Sequence, residues 1–453
     1  MATYRQTLER MFELQKFGIK FGLDSMNGLL SRLGDPHRGL RCVHLAGTNG
    51  KGSTAAMLAS VLTASGRRTG LYTSPHLTTF RERIKIDDEM IDEGEVIELA
   101  REVWEAVKPQ SPPTFFEFVT TLALIHFRRR QIDLAVVECG LGGRLDSTNV
   151  LTPLVSGVTN VSLEHTEHLG STIREVAWEK AGVIKPGVPF VGGRLSEEAL
   201  AVAKARAAEL DAPLRLLGRD YKVRTTGSDV LGRPSIDYQG VALNLQGLQL
   251  GLAGLHQADN AAMALALAEA LNEVWRPASG QPDRPLTEEA VRRGLSEVSW
   301  PGRAEFFAPG AWPPDGSGRA PLLLDGAHNP GGAAALAAFL PTLGRRRLHL
   351  ILGVMADKDV AGVLGPLTSL ADRLHLTRPA YHRAADPETL LTRLTATLGP
   401  PTCPVALHQT IPEALAAAAS QAEAEDLTVL SGSLFTVGEA RAHLTGVTVV
   451  DSN

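Results

Sequence analysis

Residues 42–64 read CVHLA, then GTNGKGS, then TAAMLASVLTA, and this succession decides the fold. Cys42–Ala46 is a short apolar run of the kind that forms a buried strand. Gly47-Thr-Asn-Gly-Lys-Gly-Ser53 follows as a glycine-rich turn, and residues 53–64 have helical character. Strand, glycine-rich turn and helix in that order make a phosphate loop. Glycines let main-chain N–H groups close around phosphate oxygens. The helix N-terminus adds a favourable dipole, and Lys51 reaches the β- and γ-phosphates as a mobile point charge. Gly47, Thr48, Asn49, Gly50, Lys51, Gly52 and Ser53 are therefore the candidate nucleotide-binding residues. The loop is shorter than the standard G-x-x-x-x-G-K-[ST] form, and Gly52 stands where a metal-binding hydroxyl is expected, which puts a Mg²⁺-ligand role for Ser53 in doubt. The structural alternative is a plain strand–helix turn with an exposed lysine.

Outward from the loop, strands alternate with helices. Thr69–Tyr72, residues 132–138 and residues 154–158 read as further strands, and 95–107 and 116–130 as helices. This alternation predicts a mainly parallel sheet with helices on both faces. Residues 215–255 differ, with short alternating runs and glycine turns that predict an antiparallel appendage. Residues 256–271 (HQADNAAMALALAEAL) predict an amphipathic helix, and 287–298 another. Residues 308–319, rich in Pro and Gly, read as a loop. Strands then restart at Leu322–Leu324, Leu348–Leu352, 374–377, 405–408 and 428–430. The expected organisation is a P-loop mononucleotide-binding domain over 1–298 with a small antiparallel appendage, and a Rossmann-like α/β domain over 299–453, joined at 299–301.

The composition bounds the chemistry. The chain has 453 residues, 44% hydrophobic and 21% charged, too many for one ordinary core. A net charge of −5 argues against a nucleic-acid binder. The arginine runs 128–130 and 345–347 read as solvated helix ends or loops. Three cysteines without a CxxC pair give neither a disulfide framework nor a zinc signature. No signal peptide and no apolar run of about 18 residues is present, so the expectation is a cytoplasmic protein with no membrane partner. Nothing signals oligomerisation, and a monomer is expected.

Several residues carry candidate chemistry. Glu138 ends a buried strand, where ligand groups gather in open α/β sheets, and a carboxylate there can hold Mg²⁺. Its alternative is a satisfied structural carboxylate. Ser74, in Tyr72-Thr-Ser-Pro-His76, has a hydroxyl exposed by the turn at Pro75; a plain turn serine is the bland reading. His165 follows a strand in SLEHTEHLG, where a surface or capping histidine is the commoner case. Lys180, in Trp178-Glu-Lys-Ala-Gly182, reads by itself as a solvated helical charge.

Taken in order, GTNGKGS, TSPHL, VVECGLGGRLDSTN, the EHTEHLG and EKAGVIKPG segments, HQADNAAMAL, PGR, DGAHNPGG and SGSLFTVGEAR add up to a family. From Phe17-Gly-Ile-Lys20 to Gly438-Glu-Ala-Arg441 the chain closely resembles folylpolyglutamate synthase and bifunctional dihydrofolate synthase, within the Mur ligase superfamily. The resemblance implies an N-terminal ATPase domain, a C-terminal Rossmann-like domain and an active site between them. It implies Ser74 and Glu138 as ligands of one Mg²⁺, His165 as a ligand of a second, and Lys180 as a carbamylated lysine. Glu164 stands where the family often has Asp, with little effect expected. Asn260 would face the nucleotide, Arg303 would contact phosphate from the interdomain connection, and Asp325 and His328 would reach toward ribose and phosphate. Thr114, Phe116 and Asp146 match positions that help hold the pterin in bifunctional members, although spacing alone makes Phe116 a core residue of its helix.

The implied reaction is ATP-dependent. A carboxylate of dihydropteroate or a folate becomes an acyl phosphate, which the amine of L-glutamate attacks. Lys51, Lys180, Arg303 and His328 are the residues expected to act on it. A cell-wall Mur ligase is the first rival, set aside because only 46 residues precede Gly47. A nucleotide-dependent switch is the second, set aside because it needs neither Asp325 nor His328; Asp357-Lys-Asp359 is not the Asn-Lys-x-Asp guanine signature. Action on both substrates or polyglutamylation alone, chain length, folate form and a monovalent-cation requirement stay open at this level.

Overall fold

β1 (Cys42–Ala46) is buried at every position, because parallel strands flank it and helices cover both faces of its sheet. The computed structural model describes residues 2–18, 20, 22–276, 284–356 and 358–447; Ile19 of the 17–20 stretch and Asp357 of the 357–359 stretch lie outside the described residues. The first sheet contains β1, β2 (Thr69–Tyr72), β3 (Ile84–Ile86), β4 (Glu89–Met90), β5 (Leu134–Glu138), β6 (Val155–Asn160), β7 (Phe190–Arg194) and β8 (Leu214–Leu216). Their order is β4-β3-β2-β5-β1-β6-β7-β8. The six strands from β2 to β8 in that order pair in parallel, and β3 and β4 extend one edge as an antiparallel pair. β1 lies between β5 and β6, where the strand order reverses and a crevice opens beyond the strand ends.

Side chains alternate between two cores. Val43 and Leu45 face the helices Lys51–Ala64 and Gln257–Val274, whereas Cys42, Ala135 and Val137 face the helices Tyr4–Phe12, Glu93–Ala106 and Phe115–Arg129. The helix expected at 256–271 spans Gln257–Val274 and is not amphipathic: Ala261 to Leu271 are buried all round. It is enclosed by Lys51–Ala64, by β6 and β7, and by the appendage, so no face remains for water.

The appendage is the antiparallel set β9 (Lys222–Ser228), β10 (Pro234–Gln239) and β11 (Asn244–Gln249), in the order β11-β10-β9. It starts later than expected, since Leu214–Leu216 joins the first sheet in parallel as β8. Glu269 pins it: the Tyr238 hydroxyl donates to its carboxylate at 2.7 Å, and the amides of Ala242 and Leu243 donate at 2.8 and 2.6 Å.

The second sheet contains β12 (Glu305–Phe307), β13 (Leu322–Leu324), β14 (Leu348–Leu352), β15 (Arg373–Leu376), β16 (Val405–Leu407) and β17 (Leu427–Ser431), ordered β12-β13-β17-β14-β15-β16. All pairs are parallel except β12 with β13. The loop at 308–319 folds onto its own Trp312, which is fully buried and donates its indole N–H to the Ala320 carbonyl at 2.7 Å. The two arginine runs are paired with acids: Arg129 and Arg130 with Glu98 and Glu95, and Arg345 and Arg346 with Asp372 and Asp426. Among the described residues no helix is long and apolar enough to cross a membrane.

Candidate active site

Three strand ends meet at the glycine-rich loop. The loop leaves β1 and is tied to the end of β6, where Asn160 accepts the Asn49 amide on its side-chain oxygen at 2.9 Å and returns its own N–H to the Asn49 carbonyl at 3.0 Å. The Thr48 amide donates to the Asn160 carbonyl at 3.0 Å. Gly47 and Gly50 are required on two counts: both have positive φ, and a Cβ would fall 1.9 Å from Thr159 Oγ1 and 2.5 Å from Asn260 Oδ1 respectively. The helix begins at Lys51 rather than Ser53, so its first N–H groups face the loop.

Lys51 Nζ donates to the carbonyls of Gly47 and Thr48 at 3.0 and 3.2 Å and lies 3.9 Å from Glu138 Oε1. Lys180, expected as a solvated charge on local grounds, is 2% exposed and donates to the same Gly47 carbonyl at 2.8 Å. Burial, reinforced by the Lys51 charge, brings its ammonium down to about 7. Glu138 is buried at the end of β5 and accepts the Ser74 amide at 3.1 Å. Burial pushes its carboxyl up, against the pull of Lys51 and the Ser74 N–H. His165 caps a short helix with a φ of 50°, and burial lowers its imidazole although half of the ring is exposed.

The second sheet closes the crevice from above. Arg303 enters from the connection between the sheets. Asp325 lines the cleft, but its two oxygens hold main chain, accepting the amides of Ala304 and Ala327 at 2.9 Å each. His328 is oriented by the Gly326 carbonyl at 2.8 Å from Nδ1, leaving Nε2 3.6 Å from Glu164 Oε1. Asn260 is buried against Gly50, with its N–H on Gln257 Oε1 at 2.9 Å.

Together these walls enclose a cleft of about 1320 Å³ lined by all seven loop residues and by Ser74, Glu138, His165, Lys180, Asn260, Arg303, Asp325 and His328. Thr114, Phe116 and Asp146 do not line it. Thr114 caps its helix with Glu117, Phe116 packs beneath Gly140, and Asp146 accepts the amides of Leu141 and Thr148 at 2.8 and 3.0 Å.

Three residues emerge only in space. Asn329 exchanges amide bonds with Asn49 across the cleft, at 2.9 and 3.3 Å, and donates to Glu164 at 3.2 Å. Glu164, which stands where the family often has Asp, sits at the centre of this contact: burial raises its carboxyl, but His328, Lys51 and His165 outweigh burial and hold it at about 2. Asn160 organises the loop from a strand end. Their residue types alone carry no signal; Asn329 is flagged only by standing in the 325–329 motif.

Residues 45–268 match the Mur ligase middle domain, and residues 315–434 match the Mur ligase, glutamate ligase domain. A Bacillus subtilis dihydrofolate synthase/folylpolyglutamate synthase is 34% identical over 377 residues, covering 82% of this chain and 84% of its own. A Haloferax volcanii protein, a probable bifunctional folylpolyglutamate synthase/dihydropteroate synthase, is 36% identical over 98% of this chain; the chain spans about half the length of that relative, 51%. Among solved structures, Escherichia coli FolC in complex with DHPP and ADP superposes with a TM-score of 0.84 at 28% identity, covering 98% of this chain and 99% of its own.

Proposed function

Because the chain belongs to the Mur ligase family, in its folylpolyglutamate synthase/dihydrofolate synthase branch, we propose that it is an ATP- and Mg²⁺-dependent, ADP-forming ligase. It joins L-glutamate to dihydropteroate and to tetrahydrofolate or its polyglutamates through an acyl phosphate. The observation that carries this reading is the single cleft in which the phosphate loop and the 303–329 face of the second sheet meet, with Asn49 and Asn329 bonded to each other. A switch that only binds nucleotide has no use for that second wall. Two domains, 1–298 and 299–453, supply the two walls.

On this reading the residues of the cleft take the following tasks. Loop amides and Lys51 hold the β- and γ-phosphates of ATP. Arg303 stands on the opposite wall, a fixed positive fork for charge that builds on the transferring phosphoryl group. The substrate carboxylate takes that group and becomes an acyl phosphate. The glutamate amine then attacks the acyl carbon, and inorganic phosphate leaves. Enclosure between the walls keeps water from the intermediate.

Mg²⁺ fits the donor set. Magnesium is held by one or two carboxylates and completes its shell with phosphate oxygens and water. Glu138 is a buried carboxylate beside the phosphate loop with incomplete compensation, and Ser74 lines the same wall. No cluster of three or more His, Cys, Asp or Glu among the described residues could hold a metal unaided. Bound there, Mg²⁺ neutralises charge on the phosphates. His165, with a neutral imidazole, suits a second ion. Lys180, with its ammonium brought down to about 7, holds a substantial share of the neutral amine, the form that carbamylation by CO₂ requires. Phe116 packs beneath Gly140, which lines the cleft, and Asp146 is hydrogen-bonded to the Gly140 main chain; with Thr114 they are proposed to shape the pterin pocket from beside the cleft.

Phosphate release measured with MgATP and glutamate, in parallel with dihydropteroate and tetrahydrofolate, tests the reading. Glutamate-dependent release with both supports the two-substrate enzyme. Release with tetrahydrofolate alone restricts the function to polyglutamylation, and silence with both refutes the reading.

A further inference from the structure

Gly52 occupies the position where most phosphate loops carry a hydroxyl, and the structure supplies a steric reason. The indole of Trp300 lies over it: a Cβ on Gly52 would come within 3.1 Å of Cζ2, 3.2 Å of Nε1 and 3.3 Å of Cε2. Contacts this close require the ring to shift by a few tenths of an ångström before any side chain fits at position 52. Trp300 belongs to the connection between the two sheets, and it is partly buried against the first core.

Three residues later the same connection presents Arg303. The segment between them is tightly held. The Arg303 amide donates to the Trp300 carbonyl at 3.3 Å, and Gly302 turns the chain with a φ of +72°. On the side of the second sheet, the Gly302 amide donates to Glu305 at 2.9 Å, Glu305 is held by Arg441 at 3.0 Å, and the Ala304 amide donates to Asp325 at 2.9 Å. On the side of the first sheet, the indole rests on the first turn of the phosphate-loop helix. A flat, rigid aromatic transmits a displacement that a flexible side chain would absorb.

We infer that Trp300 is a positioning residue that couples the phosphate loop to Arg303, so that seating of the nucleotide beneath Gly52 sets where the guanidinium stands. The inference rests on the ligase reading for its effect on turnover, but the coupling itself is measurable by nucleotide binding alone. Titrating wild type with ADP or a non-hydrolysable ATP analogue is expected to change tryptophan emission, and Trp300→Phe is expected to lose that change while still binding nucleotide by calorimetry. An emission change that persists in Trp300→Phe overturns the coupling.

A double-mutant cycle supplies the second test. Trp300→Ala is expected to lower kcat by ~10- to 100-fold, the scale of a misplaced catalytic group, with the ADP dissociation constant little altered. In an Arg303→Ala background the same substitution is expected to add nothing, because its effect passes through Arg303. Independent, multiplicative losses would reduce Trp300 to a packing residue, as would an unchanged kcat. Trp300→Leu serves in the same cycle if Trp300→Ala does not fold. An inactive wild type that still shows the Trp300-dependent emission change refutes the ligase reading and leaves the coupling standing.

Discussion

Lys51 and Lys180 donate to one carbonyl oxygen, that of Gly47, at 3.0 and 2.8 Å. Two ammonium groups on one acceptor repel each other, and for the deeply buried Lys180 this adds to the cost of burying its charge. Lys51→Ala is expected to abolish glutamate-dependent phosphate release while the protein stays folded by circular dichroism; retained turnover would remove the phosphate-loop assignment. Lys180 gives a pH prediction of definite sign. Burial brings its ammonium from the ordinary 10.5 down to about 7 in the fold, so it loses its charge well below the usual lysine range. Between those values the unfolded chain holds the extra proton, so stability from this group rises with pH; below about 7 the fold bears the full cost of the buried charge. Lys180→Met should therefore raise the melting temperature most below pH ~7, with the advantage shrinking toward pH ~10. An advantage that grows with pH would contradict the neutral-amine assignment.

At the scale of elements, the helices Lys51–Ala64 and Glu288–Glu297 cross at Gly294. A Cβ there would lie 2.5 Å from Val61 Cα and 2.6 Å from Val61 N, and Ser60 Oγ donates to the Gly294 carbonyl at 2.8 Å. Backbone atoms cannot step aside as a side chain can. Gly294→Ala is expected to destabilise the protein by ~1–3 kcal/mol despite alanine's better helix propensity, read as a lower denaturation midpoint with an unchanged slope. Stabilisation would show that the crossing is looser than the contact implies. This position also bears on function, since the helix it supports begins at the phosphate loop.

Across the whole molecule, Asn49 and Asn329 join the two walls through reciprocal amide bonds, with Glu164 accepting from the same Asn329 amide. Each neutral hydrogen bond contributes about 1 kcal/mol net, so Asn329→Ala should reduce the closed population several-fold. Small-angle scattering is expected to show a larger radius of gyration for Asn329→Ala, and phosphate release a lower kcat. Unchanged scattering would assign closure to other contacts.

The amino-acid sequence by itself determined the local elements that rest on short-range chemistry. The run at 42–53 specified strand, turn and phosphate loop, because glycine spacing and an apolar run act within a dozen residues. The parallel sheets followed from alternation, and the shared order of motifs specified the family. What only the tertiary structure decided depends on neighbours distant in the chain. The helix Gln257–Val274 lost its solvent face because a neighbouring helix, the first sheet and the appendage enclose it, and Leu214–Leu216 left the appendage because β7 offered it a parallel partner. Lys180 became a buried amine because the Gly47 carbonyl, 133 residues away, is its acceptor. Glu164 and Asn329 became partners because the second sheet folds over the first. Such roles follow from desolvation and long-range contact, which no local pattern encodes.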